Sequence, residues 1–168
     1  SLADSCPADE FKKFIEEHPD HTVISYVNTT AAVKALTDIV VTSTNARQIV
    51  ESLPLEEKII FGPDRNLGDY INKLTGRNML LWNGYCHVHQ QFSMDKILEL
   101  KKRYPEALLL AHPECPNYLL QIADHIGSTS SLLKFATRSD RKQFIVATEA
   151  GILHQMQKDN SDKLFIPA

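Results

Sequence analysis

Apolar residues along this chain fall into two alternating rhythms. The stretch "DEFKKFIEEH" places Phe11, Phe14 and Ile15 three and four residues apart, the spacing of one helical face, and Pro19 closes it. Directly after it "TVISYV" is a near-continuous apolar run rich in β-branched residues, and "DIVVT", "KIIFG" and "NMLLW" repeat that signature further along. Runs without polar alternation predict strands covered on both faces of a parallel sheet. Helix-compatible segments separate them, so the pattern predicts an alternating α/β fold.

The rhythm is written twice. Shifted by 86 residues, the chain comes into register with itself: Phe11 and Phe14 fall on Ile97 and Leu100, "HPD" at 18–20 on "YPE" at 104–106, "VISYVN" at 23–28 on "LLAHPE" at 109–114, and "VTSTN" at 41–45 on "GSTSS" at 127–131. After a one-residue gap, "KIIFGPDRNLG" at 58–68 lies over "QFIVATEAGIL" at 143–153, and "NMLLW" at 78–82 over "KLFIP" at 163–167. Each copy reads as an opening helix, a strand, a helix, a strand, a helix, and two further strands with a short helix between them. The expectation is two tandem pseudo-symmetric three-layer αβα domains with short, mainly parallel sheets, residues 1–86 and 87–168.

Composition narrows the functional classes. A net charge of −3 and scattered histidines give no electrostatic reason to expect a nucleic-acid or membrane partner. No apolar stretch approaches the roughly 18 residues of a membrane span, and the opening "SLADSCPADEF" lacks the basic start and apolar middle of a signal peptide, so a cytoplasmic location is expected. Three cysteines, Cys6, Cys86 and Cys115, with no CxxC spacing, argue against a disulfide framework and leave thiols for metal binding or chemistry.

In open α/β sheets ligands bind beyond the carboxyl ends of the strands, and the unusual polar residues of both copies collect there. The first strand of each copy ends in Tyr26-Val27-Asn28 or His112-Pro113-Glu114. The second ends in "TSTN" or "GSTS", where Ser43 and Thr129 hold equivalent places before helices expected near Ala46 and Leu132. Free N–H groups at a helix start favour an anion. The third ends offer Asp64, Arg65 and Glu149, of which Asp64 and Glu149 read as helix-start residues. Each group alone has a plain structural reading. A Ser or Thr before a helix caps it, a half-buried tyrosine finds a partner for its hydroxyl, and an imidazole hydrogen-bonds a nearby carboxylate. Their coincidence at the same strand ends of both copies points to two faces converging on one small anionic ligand.

Cys86 stands at the end of the first copy's last strand. Its repeat counterparts fall one residue before Ser1 and about three beyond Ala168, so the chain reads as an excerpt from a longer protein with a thiol at each domain boundary. Three thiolates at a pseudo-threefold centre suit a cubane [4Fe-4S] cluster with one open iron, or an open zinc site. The plain alternative is a buried packing thiol. His87 and His89, alternating along an extended segment, point together but not with Cys86, and Cys6 and Cys115 lie off the boundary.

"SLADSCP", "YVNTTAAVKA", "VTSTNA", "FGPDRNLG", "WNGYCHVH", "HPEC", "GSTSSLL" and "TEAGILHQM", in this order and over the whole chain, resemble the quinolinate synthase family. The resemblance implies three pseudo-symmetric αβα domains around a central [4Fe-4S] cluster held by one cysteine from each, with this chain as the middle and last domains. It implies condensation of iminoaspartate with dihydroxyacetone phosphate, releasing phosphate and water, to form quinolinate in NAD biosynthesis. An L-aspartate oxidase or dehydrogenase that supplies iminoaspartate is the implied partner. Carried over residue by residue, Cys86 matches the middle domain's cluster ligand and Tyr26 a proton-transfer group. Asn28 matches a substrate-carboxylate ligand, and Ser43 and Thr129 match hydroxyls for a carboxylate or phosphate. Glu114 matches a catalytic acid/base and His112 a catalytic substrate ligand, while the open iron acts as Lewis acid. With one ligand of three, the chain alone is expected to hold no stable cluster and to be inactive. The competing readings are a cluster-free two-domain protein binding a phosphorylated or dicarboxylate ligand between the TSTN and GSTS turns, and a zinc hydrolase using Cys86 with His87 or His89.

Overall fold

In the computed structural model, which describes residues 1–168, each of the apolar runs becomes a strand. Ser1–His87, the first of two compact units, runs through a 3-10 turn (Ala3–Ser5), α1 (Ala8–Glu16), β1 (Thr22–Tyr26), α2 (Ala31–Lys34), β2 (Ile39–Val41), α3 (Ala46–Ser52), β3 (Ile59–Phe61), α4 (Arg65–Thr75) and β4 (Leu80–Leu81). The strands are all parallel, in the order β2-β1-β3-β4. Period-two alternation sends Ile24 and Tyr26 of β1 and Ile59 and Phe61 of β3 to one face, with Val50 of α3 and Leu67 and Ile71 of α4. It sends Val23 and Ile60 to the other, with Phe11 of α1 and Val33 of α2. Helices therefore cover both faces, which is why these strands carry no polar stripe.

The second unit, Val88–Ala168, follows α5 (His87–Gln90) with α6 (Met94–Arg103), β5 (Leu108–Ala111), α7 (Asn117–Leu120), β6 (His125–Ile126), α8 (Thr129–Arg138), β7 (Gln143–Ala147), α9 (Gly151–Asp159) and β8 (Leu164–Pro167). Its parallel sheet has the order β6-β5-β7-β8. Leu110, Phe144 and Val146 pack with Leu132 and Ala136 of α8 and Met156 of α9, while the alternate residues Leu109 and Ile145 are fully buried on the other face. The expected α/β architecture of two pseudo-repeated αβα units is the one observed.

Strand registers carry the repeat. Ile24 pairs with Ile39 and Phe61, and its counterpart Leu110 with His125 and Val146. At the last strand Ile60 pairs with Leu80 but Ile145 with Ile166, one residue beyond the sequence alignment, so the gap closes again before β8. Asp38 and Asp124 are equivalent to the level of single bonds. Their carboxylates accept from Val23 N–H at 2.8 Å and Leu109 N–H at 2.7 Å, and their own N–H groups donate back to the carbonyls of those residues.

Four local features depart from expectation. The helix between the last two strands of the first unit is not short: α4 runs eleven residues, started by Asp64, which accepts from Leu67 N–H, and stopped by Gly76 at φ 70°. β4 has only two residues, so Cys86 lies beyond it in the turn after Trp82 rather than at a strand end. α8 starts at Thr129 rather than near Leu132, because the Ser128 hydroxyl accepts from Ser131 N–H and caps it earlier. His87 and His89 are helical rather than extended, and two residues on a helix are about 200° apart, so His89 is buried while His87 is exposed. No helix is long and apolar enough to cross a membrane.

Replacing Asp38 or Asp124 by Ala strands one strand N–H, and urea unfolding should register a loss of about 1–3 kcal/mol at either site. Equal losses would reflect the equivalence of the two bonds; no loss at either would contradict their role in closing the strand ends.

Candidate functional site

In both sheets the chain steps from its first strand to one side and then returns to the other, leaving β1 between β2 and β3, and β5 between β6 and β7. Loops diverge at such a reversal, opening a crevice beyond the carboxyl ends of the strands. In Val88–Ala168 the loops leaving β5 and β7 carry His112, Glu114 and Thr148.

The chain leaves β5 in a tight buried turn. His112 N–H donates to Ala147 carbonyl at 3.1 Å, and Cys115 N–H closes the turn on His112 carbonyl at 2.9 Å. Glu114 N–H donates to His112 Nδ1 at 3.3 Å, which leaves the ring proton of the neutral imidazole on Nε2. Glu114 also reaches sideways: its Oε1 lies 3.7 Å from His112 Nδ1 and its Oε2 3.2 Å from His89 Nδ1. His89 Nε2 lies 3.3 Å from Thr148 Oγ1, and the two imidazoles stack with centroids 4.8 Å apart. An ionised carboxylate only accepts. With Glu114 ionised and His89 neutral, Nδ1 carries the ring proton toward Glu114 and Nε2 accepts from the Thr148 hydroxyl.

Burial pushes the His112 imidazole down to about 4; the Glu114 charge opposes that fall and His89 adds to it. His112 is thus neutral around pH 7 and offers an Nε2–H donor. A carboxylate held between two imidazoles can accept, hold and return a proton.

In Ser1–His87 the corresponding turn is more open. Tyr26, at the end of β1, is buried; its N–H donates to Pro63 carbonyl at 3.2 Å and its carbonyl accepts from Thr29 Oγ1 at 3.0 Å. Asn28 is exposed two residues on, and Ser43 is half-buried in the turn after β2. Tyr26 pairs with Val41, so these two turns leave adjacent strands at the same edge. Ser43 is not the cap of α3. Asn45 occupies that place and folds its Oδ1 back onto Thr42 N–H at 2.7 Å.

The three thiols differ in what they can become. Cys6 lies fully buried among Phe11, Val23 and Ile60, and burial, helped by Glu10, pushes it up to about 12. Cys115 donates its S–H to Ala147 carbonyl at 3.3 Å. Both are protonated packing thiols. Cys86 is buried too, in the first unit's apolar cluster, but it sits on a loop beyond a strand end with its N–H held by Asp64 Oδ2 at 2.8 Å, and this is the thiol that could serve a cluster as one ligand. A cubane takes three or four thiolates, so this chain fits as the donor of one.

The structure thus joins His112 to Glu114, places Thr129 at the first turn of α8 beyond the neighbouring strand, and sets Tyr26, Asn28 and Ser43 along one sheet edge. Sequence reasoning missed His89 and Thr148. An extended reading of the segment hides His89, which the helix His87–Gln90 turns inward. Thr148 is the residue leaving the strand at the reversal, a rule that would have selected it over its exposed neighbour Glu149.

Fold and site together define a tandem αβα protein with titratable groups gathered at a topological switch point. The sequence model of the family described as "Quinolinate synthetase A protein" matches residues 1–168. A quinolinate synthase from Chloroherpeton thalassium is 55% identical over 168 residues, covering 100% of this chain and 52% of that protein. One from a Synechocystis species is 57% identical over 167 residues, covering 99% and 52%, and one from Microcystis aeruginosa is 55% identical over 168 residues, covering 100% and 53%. The chain belongs to the quinolinate synthetase A family, and it spans about half the length of the curated relatives it matches.

His112 makes stability depend on pH. Its folded value near 4 lies below the usual 6.5, so between these limits the unfolded chain binds more protons; the stabilisation is complete above pH 6.5 and is lost as pH falls toward 4, by at most about 3 kcal/mol. Denaturant unfolding across that window should slope less steeply in His112→Asn, and an unchanged slope would contradict a neutral buried imidazole.

Proposed function

We propose that this chain supplies the middle and last of three αβα domains of a quinolinate synthase, an enzyme condensing iminoaspartate with dihydroxyacetone phosphate to quinolinate in NAD biosynthesis. The observation that carries the reading is the buried Glu114 carboxylate, which meets both His89 and His112 at the reversal of the second sheet. Family membership over the whole chain supports it.

In this proposal Glu114 takes and returns the protons of condensation and dehydration, and the imidazoles on either side set its geometry. His112, held neutral, donates Nε2–H to a substrate oxygen. Tyr26 is a proton-transfer group. Asn28, Ser43 and Thr129 bind the carboxylates and phosphate that make both substrates anionic. Cys86 is one thiolate ligand of a [4Fe-4S] cluster, which when bound supplies a Lewis acid at an open iron. The other ligands come from outside these 168 residues, which alone neither assemble the cluster nor turn over. An L-aspartate oxidase or dehydrogenase supplies iminoaspartate, and the setting is the cytoplasm.

In the full-length enzyme, Glu114→Gln should lower kcat by about 10²- to 10⁴-fold with iron and sulfide content unchanged, while Cys86→Ser should abolish the cluster. Turnover of Glu114→Gln near the unmodified rate would overturn the acid/base assignment.

A further inference from the structure

The loop that presents Cys86 is fastened to one dipeptide that takes no part in the chemistry above. Asp64 is fully buried and divides its carboxylate: Oδ1 accepts from Leu67 N–H at 2.9 Å, capping α4, and Oδ2 accepts from Cys86 N–H at 2.8 Å. Arg65 holds the residues just before. Its N–H donates to Gly84 carbonyl at 2.8 Å, and its guanidinium donates to Asn83 Oδ1 at 2.8 Å and lies 5.9 Å from the centre of the Tyr85 ring. On the opposite side the loop has no slack, since a Cβ on Gly84 would come within 2.8 Å of Ser5 carbonyl oxygen and 2.9 Å of Trp82 Cδ1. Trp82 Nε1 donates to that same carbonyl at 2.9 Å. A helix cap needs one side-chain oxygen. The second oxygen of Asp64 reaches a residue 22 positions away, and that residue is the cysteine.

We propose that Asp64 is the positioning residue for the Cys86 thiolate, tying the ligand loop to the rigid start of α4 so that the sulfur is placed before a cluster arrives. This rests on the reading of Cys86 as a cluster ligand. Groups that orient a metal's ligands, without touching the metal, typically control its retention by about 10- to 100-fold. The two bonds of Asp64 can be separated by substitution. Ser at position 64 still reaches Leu67 N–H and caps the helix, but has no second oxygen for Cys86.

The test compares Asp64→Ser, Asp64→Ala and Cys86→Ser with the unmodified full-length holoenzyme under anaerobic conditions. Iron release to excess chelator, the reduced-cluster EPR spectrum and the melting temperature are followed. Asp64→Ser should melt close to the unmodified protein yet release iron about 10-fold faster or more, with an altered EPR line shape. Asp64→Ala should release iron equally fast and melt lower. If Asp64→Ser does not fold, Asp64→Asn, with one carbonyl oxygen for two N–H groups, is expected to give the same acceleration. A variant that keeps the unmodified release rate and spectrum, while Cys86→Ser loses its cluster, overturns the positioning role alone. A cluster retained in Cys86→Ser overturns the ligand assignment and the positioning role with it.

Discussion

At either end of a parallel strand covered on both faces, N–H groups beyond the ladder lie in protein rather than water, and each must find an acceptor there. The polar architecture of this protein follows from that constraint. Asp38 and Asp124 take up the N–H groups of Val23 and Leu109 beside the second strand of each sheet. Asp64 serves Leu67 and Cys86, and the His112 ring serves Glu114. The side chains proposed for chemistry are in part the same ones that satisfy the turns, so the site and the fold share their hydrogen bonds. This is also why conservative replacements such as Asp64→Ser, which remove one bond and keep another, say more than truncation to alanine.

The two units place different residue types on one frame. Tyr26 and His112 hold equivalent places, as do Asn28 and Glu114, and both first-strand ends dock onto the carboxyl end of the neighbouring strand, Tyr26 on Pro63 just beyond β3 and His112 on Ala147, the last residue of β7. In the second unit every residue from Ala111 to Pro116 is buried, so a carboxylate there is shielded from water and paired with imidazoles. In the first unit Asn28 stays exposed. Residue type and burial differ together: Glu114 can titrate and is shielded from water, whereas Asn28 cannot titrate and faces it.

Much of this was legible in the sequence, because apolar runs such as "TVISYV" and "KIIFG" carry the period of a doubly covered strand and recur at a fixed shift. Position alone singles out His112, Glu114 and Cys86 as candidates, at strand ends and at the repeat boundary. The misses have physical causes. A short helix such as His87–Gln90 has too few residues to show a 3.6-residue period, so His89 was placed on the wrong kind of backbone. The reach of Asp64 to Cys86 is a contact across 22 positions, and no local pattern encodes it; its capping of α4 was the part visible in sequence. Ser128 capped α8 one residue before Thr129, because several hydroxyls in "GSTS" compete for one cap.

The central claim is that Cys86 delivers a thiolate to an iron–sulfur centre while Cys6 and Cys115 are packing thiols. Anomalous diffraction at the iron edge from anaerobic crystals of the full-length enzyme tests it most directly. The account predicts iron bonded to Cys86 Sγ, with Asp64 still hydrogen-bonded to Cys86 N–H and no iron near the other two cysteines of this chain. Iron on Cys6 or Cys115, or a Cys86 thiol packed with no metal beside it in an iron-replete crystal, would contradict it.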